Sequence, residues 1–310
     1  MINSYFFVGL GTALNLALNN VFAANMANST IIIGAAHGSY GIGGMVAPII
    51  ATILVSRGVL WSRFFLITLG IRALVLAFAA WSYRGYEAEP TSKFSAGLER
   101  IASLQRSSSH NREPSKWQLL KRAMRNRTTI FGALFIFAYQ GAEVSISGWI
   151  ISFLITSRGG NPAQVGYVTS GFWGGITLGR FVLSHAAPRI GEVPFVYILT
   201  AGSIAFQLLV WLVPNIITEA VAVSVLGLLL GPVYPCSQTI FAQLLPSSIQ
   251  MSSIGFIASA GSSGGAVVPL LVGLLSAAVG PFVLHPICVG MFAVMAGCWF
   301  ALPKVVKRTE

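Results

Sequence analysis

The 310-residue chain is 55% hydrophobic and only 9% charged, with a formal net charge of +11. A soluble domain carries about 25% charged residues, so this composition and a mean hydropathy of +0.77 exclude a soluble globular protein. The apolar runs are about 20 residues long, the length of a membrane-spanning helix rather than of an alternating β-barrel strand. We therefore predict an all-α, polytopic membrane protein.

The predicted membrane-spanning helices number nine and fall into groups of three and six. In chain order they cover residues 4–26, 31–56, 60–83, 128–156, 164–184, 192–213, 216–242, 250–276 and 281–302. This division predicts an incomplete N-terminal helical bundle over 1–83, a basic, Ser-rich linker over 84–127, and a six-helix bundle with a short tail over 128–310.

Basic residues are concentrated in the predicted linker. Ten of the 19 Lys and Arg lie in residues 84–127, against four Glu. Such a cluster beside membrane spans marks the cytoplasmic side, not a nucleic-acid-binding face. An even number of spans later, the tail carries Lys304, Lys307 and Arg308, so we expect it to be cytoplasmic too. Five linker residues also predict a short surface helix on anionic lipid: Trp117, Leu120, Lys121, Met124 and Arg125.

Two distant segments of the chain are similar to each other. Residues 41–48 (GIGGMVAP) align with residues 262–269 (SSGGAVVP) at an offset of 221. A parallel repeat in an all-helical membrane protein is typical of one large group of transporters. The repeat pairs the first three spans with the last three and leaves residues 128–213 without an upstream counterpart. We therefore expect this chain to be the last nine of twelve helices.

Glu143 is an acidic residue near the middle of the fourth predicted span. A charge at that depth costs about 2.5–3.5 kcal/mol on insertion scales, so we expect it to face a cavity or a partner. Gln140, Glu143 and Ser147 share one helical face. Low dielectric favours the neutral form of a carboxyl group, which suits a proton-coupling residue. A neutral, hydrogen-bonded structural glutamic acid is the alternative.

Two pairs of polar residues lie at matching positions of the repeat. Asn15 and Asn19 are spaced i, i+4 in the first span, and Tyr234 and Gln238 have the same spacing in the seventh. Such faces suit a cavity that hydrogen-bonds a polar ligand. Interhelical hydrogen bonds are the alternative.

His37 begins a stripe that continues through Gly41, Gly44 and Pro48 on one face of the second span. Small residues in a stripe favour close helix packing, which is the role we predict for the last three. His37 is a candidate proton acceptor or solute ligand, with a structural histidine as the alternative. Trp149 and Trp173 are candidates for stacking on a sugar ring or another flat ligand; core-facing or lipid-facing tryptophans are the alternative.

Four segments together resemble the major facilitator superfamily, and within it the fucose-permease-like branch common in fungi. They are Gly9-Leu10-Gly11 followed by Asn15 and Asn19, residues 37–48 (HGSYGIGGMVAP), residues 139–149 (YQGAEVSISGW) and residues 171–180 (GFWGGITLGR). The resemblance implies two six-helix bundles, a central cavity and alternating access. The last segment resembles the second copy of the superfamily's Gly-rich, Arg-containing loop motif, which implies a gating role for Arg180.

The leading functional hypothesis is a secondary active transporter of a small, sugar-like polar solute, coupled to protons through Glu143. Export of a secondary metabolite or drug is an open variant. The expected partners are the lipid bilayer, the solute and protons, but not nucleic acid, and the full-length protein is expected to be a monomer. Family analogy favours the plasma membrane. We expect no cofactor and no metal, since no P-loop or metal-ligand cluster is found in the sequence and all three cysteines lie in apolar spans.

Two other classes of function remain open from the sequence. A non-transporting, truncated remnant would explain the absent helices and the unusual Arg72 in the middle of the third span. An intramembrane serine protease would use Ser263 within Gly261-Ser262-Ser263-Gly264 and His285 as its base. The repeat aligns Ser263 with Ile42, which loses the nucleophile and favours helix packing, so we expect no enzyme.

Overall fold

The computed structural model describes residues 4, 6–12, 29–84, 116–183 and 186–303, and within these residues it contains helices and no strand. Residues 6–12 are helical. The further helices are α1 (Ser29–Ser56), α2 (Phe64–Ser82), α3 (Lys116–Arg125), α4 (Arg127–Arg158), α5 (Pro162–Val182), α6 (Ala187–Ile190), α7 (Glu192–Leu212), α8 (Ile216–Leu230), α9 (Val233–Leu244), α10 (Ser247–Val279) and α11 (Leu284–Phe300). The predicted all-α fold is confirmed.

Seven segments of the described part of the chain are long and apolar enough to cross a membrane. They are Ser39–Ser56, Trp61–Ser82, Arg127–Arg158, Glu192–Leu212, Ile216–Leu244, Ser248–Val279 and Pro281–Phe300. Helix α5 has 21 residues, but its glycines and polar residues lower its hydropathy. Most of the first predicted span, residues 4–26, lies outside the described residues, as do the tail residues 304–310.

The chain divides into two compact units, residues 1–40 with 62–113, and residues 41–61 with 114–310. In the first unit, helix α2 has no buried side chain, and Arg72 is exposed. The second unit holds the hydrophobic core. The predicted limits of the linker stay a prediction, because residues 85–115 lie outside the described part of the chain.

Helix α4 is the central element of the second unit. It begins where the Asn126 side chain accepts hydrogen bonds from the backbone N–H groups of Thr128 and Thr129, which satisfies two of the unpaired donors of a helix start. It packs on α10 at short range: a side chain on Gly141 would collide with Val268, and one on Gly264 with the Phe137 backbone. These contacts fix α4 against α10 by close backbone packing.

The Gly-rich segment of α5 packs backbone to backbone against α8. A Cβ atom on Gly175 would overlap the Ser224 carbonyl oxygen, and one on Gly179 the Leu228 carbonyl oxygen. Glycine alone permits this approach. The close contact reaches Arg180 itself, since a Cβ atom on Gly231 would lie 3.0 Å from the Arg180 backbone nitrogen, and it therefore holds the backbone from which that side chain extends.

The predicted span over residues 216–242 corresponds to the apolar segment Ile216–Leu244, which consists of two helices, since α8 ends at Leu230 and α9 begins at Val233. Pro232 has no backbone N–H, and its ring would clash with the carbonyl four residues earlier, so a continuous helix is disfavoured here. The break leaves the Leu230 carbonyl among the unpaired acceptors at the end of α8.

The small-residue stripe of α1 packs against α5, as expected. A Cβ atom on Gly41 would meet Thr177, one on Gly44 would lie 2.8 Å from a Trp173 ring carbon, and one on Gly166 would collide with Thr52. The contacts run in opposite directions along the two helices, so α1 and α5 are antiparallel. Pro48 lies inside α1, as its repeat counterpart Pro269 lies inside α10.

This packing predicts a position-specific loss of stability. Gly44→Val should destabilise the protein by about 1–3 kcal/mol, because the added methyl groups overpack against Trp173. Gly43→Val is the matched control, since a Cβ atom at Gly43 meets nothing within 4 Å. Thermal unfolding of the purified variants in detergent checks this. Equal melting temperatures for the two variants would contradict the α1–α5 contact.

Candidate functional site

Glu143 forms a buried ion pair with Arg180. The Glu143 residue is only 4% exposed, and its Oε1 lies 3.5 Å from Arg180 Nη2. The positions of Glu143 in α4 and Arg180 in α5 explain why the two side chains meet at a similar depth. Glu143 precedes Arg158, the end of α4, by 15 residues, and Arg180 follows Pro162, the start of α5, by 18 residues. The two side chains thus originate about 22 and 27 Å from the same end of the α4–α5 hairpin.

Three further side chains complete what we call the Glu143 cluster: Tyr139, Tyr234 and Gln238. The fully buried Tyr139 hydroxyl donates a hydrogen bond to the Leu230 carbonyl oxygen at 3.2 Å and interacts with both Glu143 and Arg180. The Tyr139 and Tyr234 ring centroids are 6.1 Å apart. Gln238 lies one helical turn after Tyr234 on α9. The cluster therefore joins α4, α5 and α9.

Glu143 Oε1 and Gln238 Nε2 are buried polar atoms of the Glu143 cluster that have no hydrogen-bond partner among the described residues. More than about 90% of buried polar groups in proteins are hydrogen-bonded, and exceptions indicate a missing water, ion or ligand or a functional role. One of these atoms is an acceptor and the other a donor. A hydroxyl group both accepts and donates, so the chemistry of the pair suits a polyhydroxylated solute.

The structure distributes the other predicted site residues differently. The Gln140 side-chain oxygen lies against Gly261 of α10, so it does not share the surroundings of Glu143. The Trp149 ring donates a hydrogen bond to the Pro269 carbonyl oxygen at 3.1 Å, and Trp173 packs on Gly44. Both tryptophans have interhelical contacts in this structure. Asn15 and Asn19 lie outside the described residues, and for His37 only the helical backbone is described.

Comparison with known proteins places this bundle in a family. The sequence profile of the Major Facilitator Superfamily matches residues 140–310, more than half of the chain. The chain belongs to the Major Facilitator Superfamily. The resemblance drawn from its sequence motifs is thus confirmed, and the matched range includes Glu143 and every other member of its cluster except Tyr139.

Several curated proteins match the chain over part of their own length. Bypass of stop codon protein 6 of Saccharomyces cerevisiae is 27% identical over 98% of this chain and 64% of its own length. A glucose/galactose transporter of Brucella abortus is 31% identical over 60% of this chain and 44% of its own length. The glucose/mannose transporter GlcP of Bacillus subtilis is 24% identical over 46% and 35%, respectively. The chain thus spans less than two thirds of these relatives.

The superfamily assignment, together with relatives named as transporters, confirms that the chain is not an enzyme. The side chains proposed for a serine protease also have other partners. The Ser263 hydroxyl donates to the Ser259 carbonyl oxygen at 3.0 Å. His285 is fully buried with its Nδ1 2.8 Å from Gln207 Nε2, and its Nε2 has no hydrogen-bond partner among the described residues. A serine nucleophile needs a base within hydrogen-bonding reach, and this pair is not formed.

Sequence reasoning missed a second buried ion pair, between Arg158 at the end of α4 and Glu219 in the first turn of α8. Arg158 Nε lies 2.5 Å from Glu219 Oε1, and the Glu219 side chain is fully buried. The guanidinium also donates to the Trp211 carbonyl oxygen at 2.8 Å and lies 4.9 Å from the centroid of the Phe153 ring. The available signal was Glu219 itself, which lies inside the predicted span 216–242.

Among the described residues, no group of three or more His, Cys, Asp or Glu side chains has the proximity needed to hold a metal ion. The three cysteines are free and buried. A surface cleft of about 490 Å³ borders Arg158 and Asn215. It lies at the end of α4 that holds the second ion pair, and the Glu143 cluster does not line it.

The Glu143–Arg180 pair predicts a strong energetic coupling. Arg180→Gln should cost about 3 kcal/mol, because it leaves a buried carboxylate without its countercharge. Adding Glu143→Gln to that variant should recover most of the loss. The double-mutant cycle is measured by thermal unfolding in detergent. If the loss of stability in the double variant equals the sum of the losses in the two single variants, the two side chains are not coupled.

Proposed function

We propose that this protein is a secondary active transporter of a sugar-like solute that couples transport to protons by alternating access. Three observations support the proposal: the superfamily assignment, relatives named as glucose/galactose and glucose/mannose transporters, and a buried carboxylate–guanidinium pair among tyrosine and amide side chains. We further propose that it resides in the plasma membrane, with residues 84–127 and the C-terminus in the cytoplasm, following the concentration of basic residues.

In this proposal the Glu143 cluster provides the half of the solute site that belongs to the six-helix bundle. The unpaired Gln238 amide N–H group donates to a sugar oxygen. The Tyr234 hydroxyl accepts or donates, and its half-buried ring offers an apolar face. Asn15, Asn19 and His37 are proposed as further solute-binding residues on the basis of the sequence.

Proton coupling in this proposal results from competition between a proton and Arg180 for the same carboxylate. Ionised Glu143 holds the guanidinium, and the attraction is strong in a medium of low dielectric constant. Protonation neutralises Glu143 and releases Arg180. Helix α5 also carries Trp173 and Thr177 against α1, so loosening α5 from α4 changes the restraints on a helix that contacts the other half of the repeat. In this way the gating role expected of Arg180 follows from its ion pair.

This mechanism predicts that Glu143→Gln abolishes acid-stimulated uptake of glucose or galactose in proteoliposomes. Exchange of labelled for unlabelled sugar, which needs no net proton movement, should persist. Glu219→Gln is the matched control, since it also removes a buried carboxylate beside an arginine, and it should keep the acid stimulation.

Acid-stimulated uptake in Glu143→Gln at the wild-type level would exclude Glu143 as the coupling residue. If wild type neither takes up nor exchanges either sugar while remaining folded, the transport proposal for these solutes fails. A chain without turnover would then be the better description.

Solute recognition predicts a different signature at Gln238. Gln238→Ala should raise the KM for sugar exchange about fivefold to tenfold, the equivalent of one lost hydrogen bond of about 1–1.5 kcal/mol, without altering the pH profile. Thr239→Ala is the control, because the exposed Thr239 hydroxyl donates within its own helix, to the Pro235 carbonyl oxygen. An unchanged KM in Gln238→Ala would remove this residue from the solute site.

A further inference from the structure

Helix α3 belongs to the second unit and lies immediately before the membrane-spanning helix α4. Only Asn126 separates its last residue from the start of α4. Ala123 is fully buried and Leu120 is half-buried, and α3 packs on α10. This one face holds the helix to the protein. Since α4 enters the bilayer directly afterwards, α3 lies at the level of the membrane surface.

Five exposed side chains of α3 form two distinct parts of its surface. Trp117 is 76% exposed and Met124 41% exposed, and their i, i+7 spacing places them together on the flank next to the buried face. The other exposed part is basic. It consists of Lys121, Arg122 and Arg125.

The charge of this surface is of one sign. No acidic residue occurs between Glu113 and Glu143, whereas four basic residues occur between Lys121 and Arg127. The basic side chains of α3 would suit any phosphate-bearing anion. The exposed tryptophan and methionine beside them would not, because an inorganic anion gives them no apolar surroundings. A lipid satisfies both parts, with its headgroup on the basic side and its acyl boundary on the apolar side.

We propose that α3 binds the headgroups of anionic phospholipids, with Trp117 and Met124 inserted at the acyl boundary and Lys121, Arg122 and Arg125 on the phosphates. This inference does not depend on the proposed transport activity. Each basic residue near an anionic surface strengthens binding about fivefold. Three such residues would therefore favour an anionic over a neutral surface on the order of 100-fold.

Hydrogen exchange of the purified full chain in lipid nanodiscs tests the proposal. The discs contain phosphatidylcholine alone or equal parts phosphatidylcholine and phosphatidylserine. A lipid that binds only the folded helix slows exchange through local opening. The amides of residues 116–125 should exchange at least about tenfold more slowly in the anionic discs. Equal rates in both discs would overturn the proposal.

Variants of its basic and apolar residues test which part of the α3 surface causes the slower exchange in anionic discs. Lys121→Glu with Arg125→Glu should abolish the difference between the discs, whereas Arg57→Glu with Arg63→Glu, an equal charge change at two other exposed arginines, should keep it. Trp117→Ala should reduce the difference, and Trp61→Ala, at a tryptophan 58% exposed, should not. The opposite result for any of these variants would contradict the assignment of lipid binding to the basic and apolar parts of α3.

A further experiment distinguishes a lipid headgroup from a free phosphate ion as the bound group. Inorganic phosphate added to neutral discs should leave α3 exchange unchanged. Protection of residues 116–125 equal to that in anionic discs would show a site for a free anion instead of a lipid surface.

Discussion

A charged side chain inside a membrane protein must be compensated, and in this chain the compensation of Glu143 by Arg180 depends on how three helices are held. Close glycine contacts fix α5 against α8 and set the position from which Arg180 extends. The break at Pro232 exposes the Leu230 carbonyl oxygen to which Tyr139 donates. Contacts of α4 with α10 hold the helix that carries Tyr139 and Glu143. The ion pair is the point at which these separate packing constraints meet.

The two buried ion pairs of the second unit differ in their geometry. Arg158 and Glu219 are 2.5 Å apart, and Arg158 has a further hydrogen bond to a backbone carbonyl. Glu143 and Arg180 are 3.5 Å apart. Each carboxylate has one buried oxygen without a hydrogen-bond partner among the described residues, Glu143 Oε1 and Glu219 Oε2. A buried pair is costly to break when its geometry is good and its other hydrogen bonds are formed. The Arg158 pair therefore suits a fixed brace and the Glu143 pair suits a switch.

The fold was predictable from the sequence because bilayer thickness imposes the length of each apolar run. All nine predicted spans overlap helices of the described residues, the first through residues 6–12. The break between α8 and α9 was not recognised, although Pro232 was visible, because the hydrophobic run continues across it. Packing of Gly41 and Gly44 followed from their spacing, since a small-residue stripe has one common use in membrane helices.

The candidate site was only partly predictable. Glu143 was identifiable because an acidic residue in an apolar span is rare, and Tyr234 with Gln238 followed from the repeat. The partnership of Arg180 with Glu143 was missed, because its position near the end of α5 favoured a location at the membrane surface. That Arg180 and Glu143 lie at a similar depth is seen only from the position of α5 relative to α4. Trp149 and Gln140 were assigned to the solute by residue type, whereas their contacts depend on the approach of α10 to α4, which the local sequence does not encode.

Coupling through Glu143 requires its carboxyl group to change protonation when a sugar binds. Infrared difference spectroscopy of the reconstituted protein, with and without glucose or galactose, observes the C=O band of a protonated carboxyl group directly. We expect a sugar-induced change in this band that persists in Glu219→Gln and is absent in Glu143→Gln. A sugar-induced change of the same size in Glu143→Gln, or its loss in Glu219→Gln alone, would contradict it.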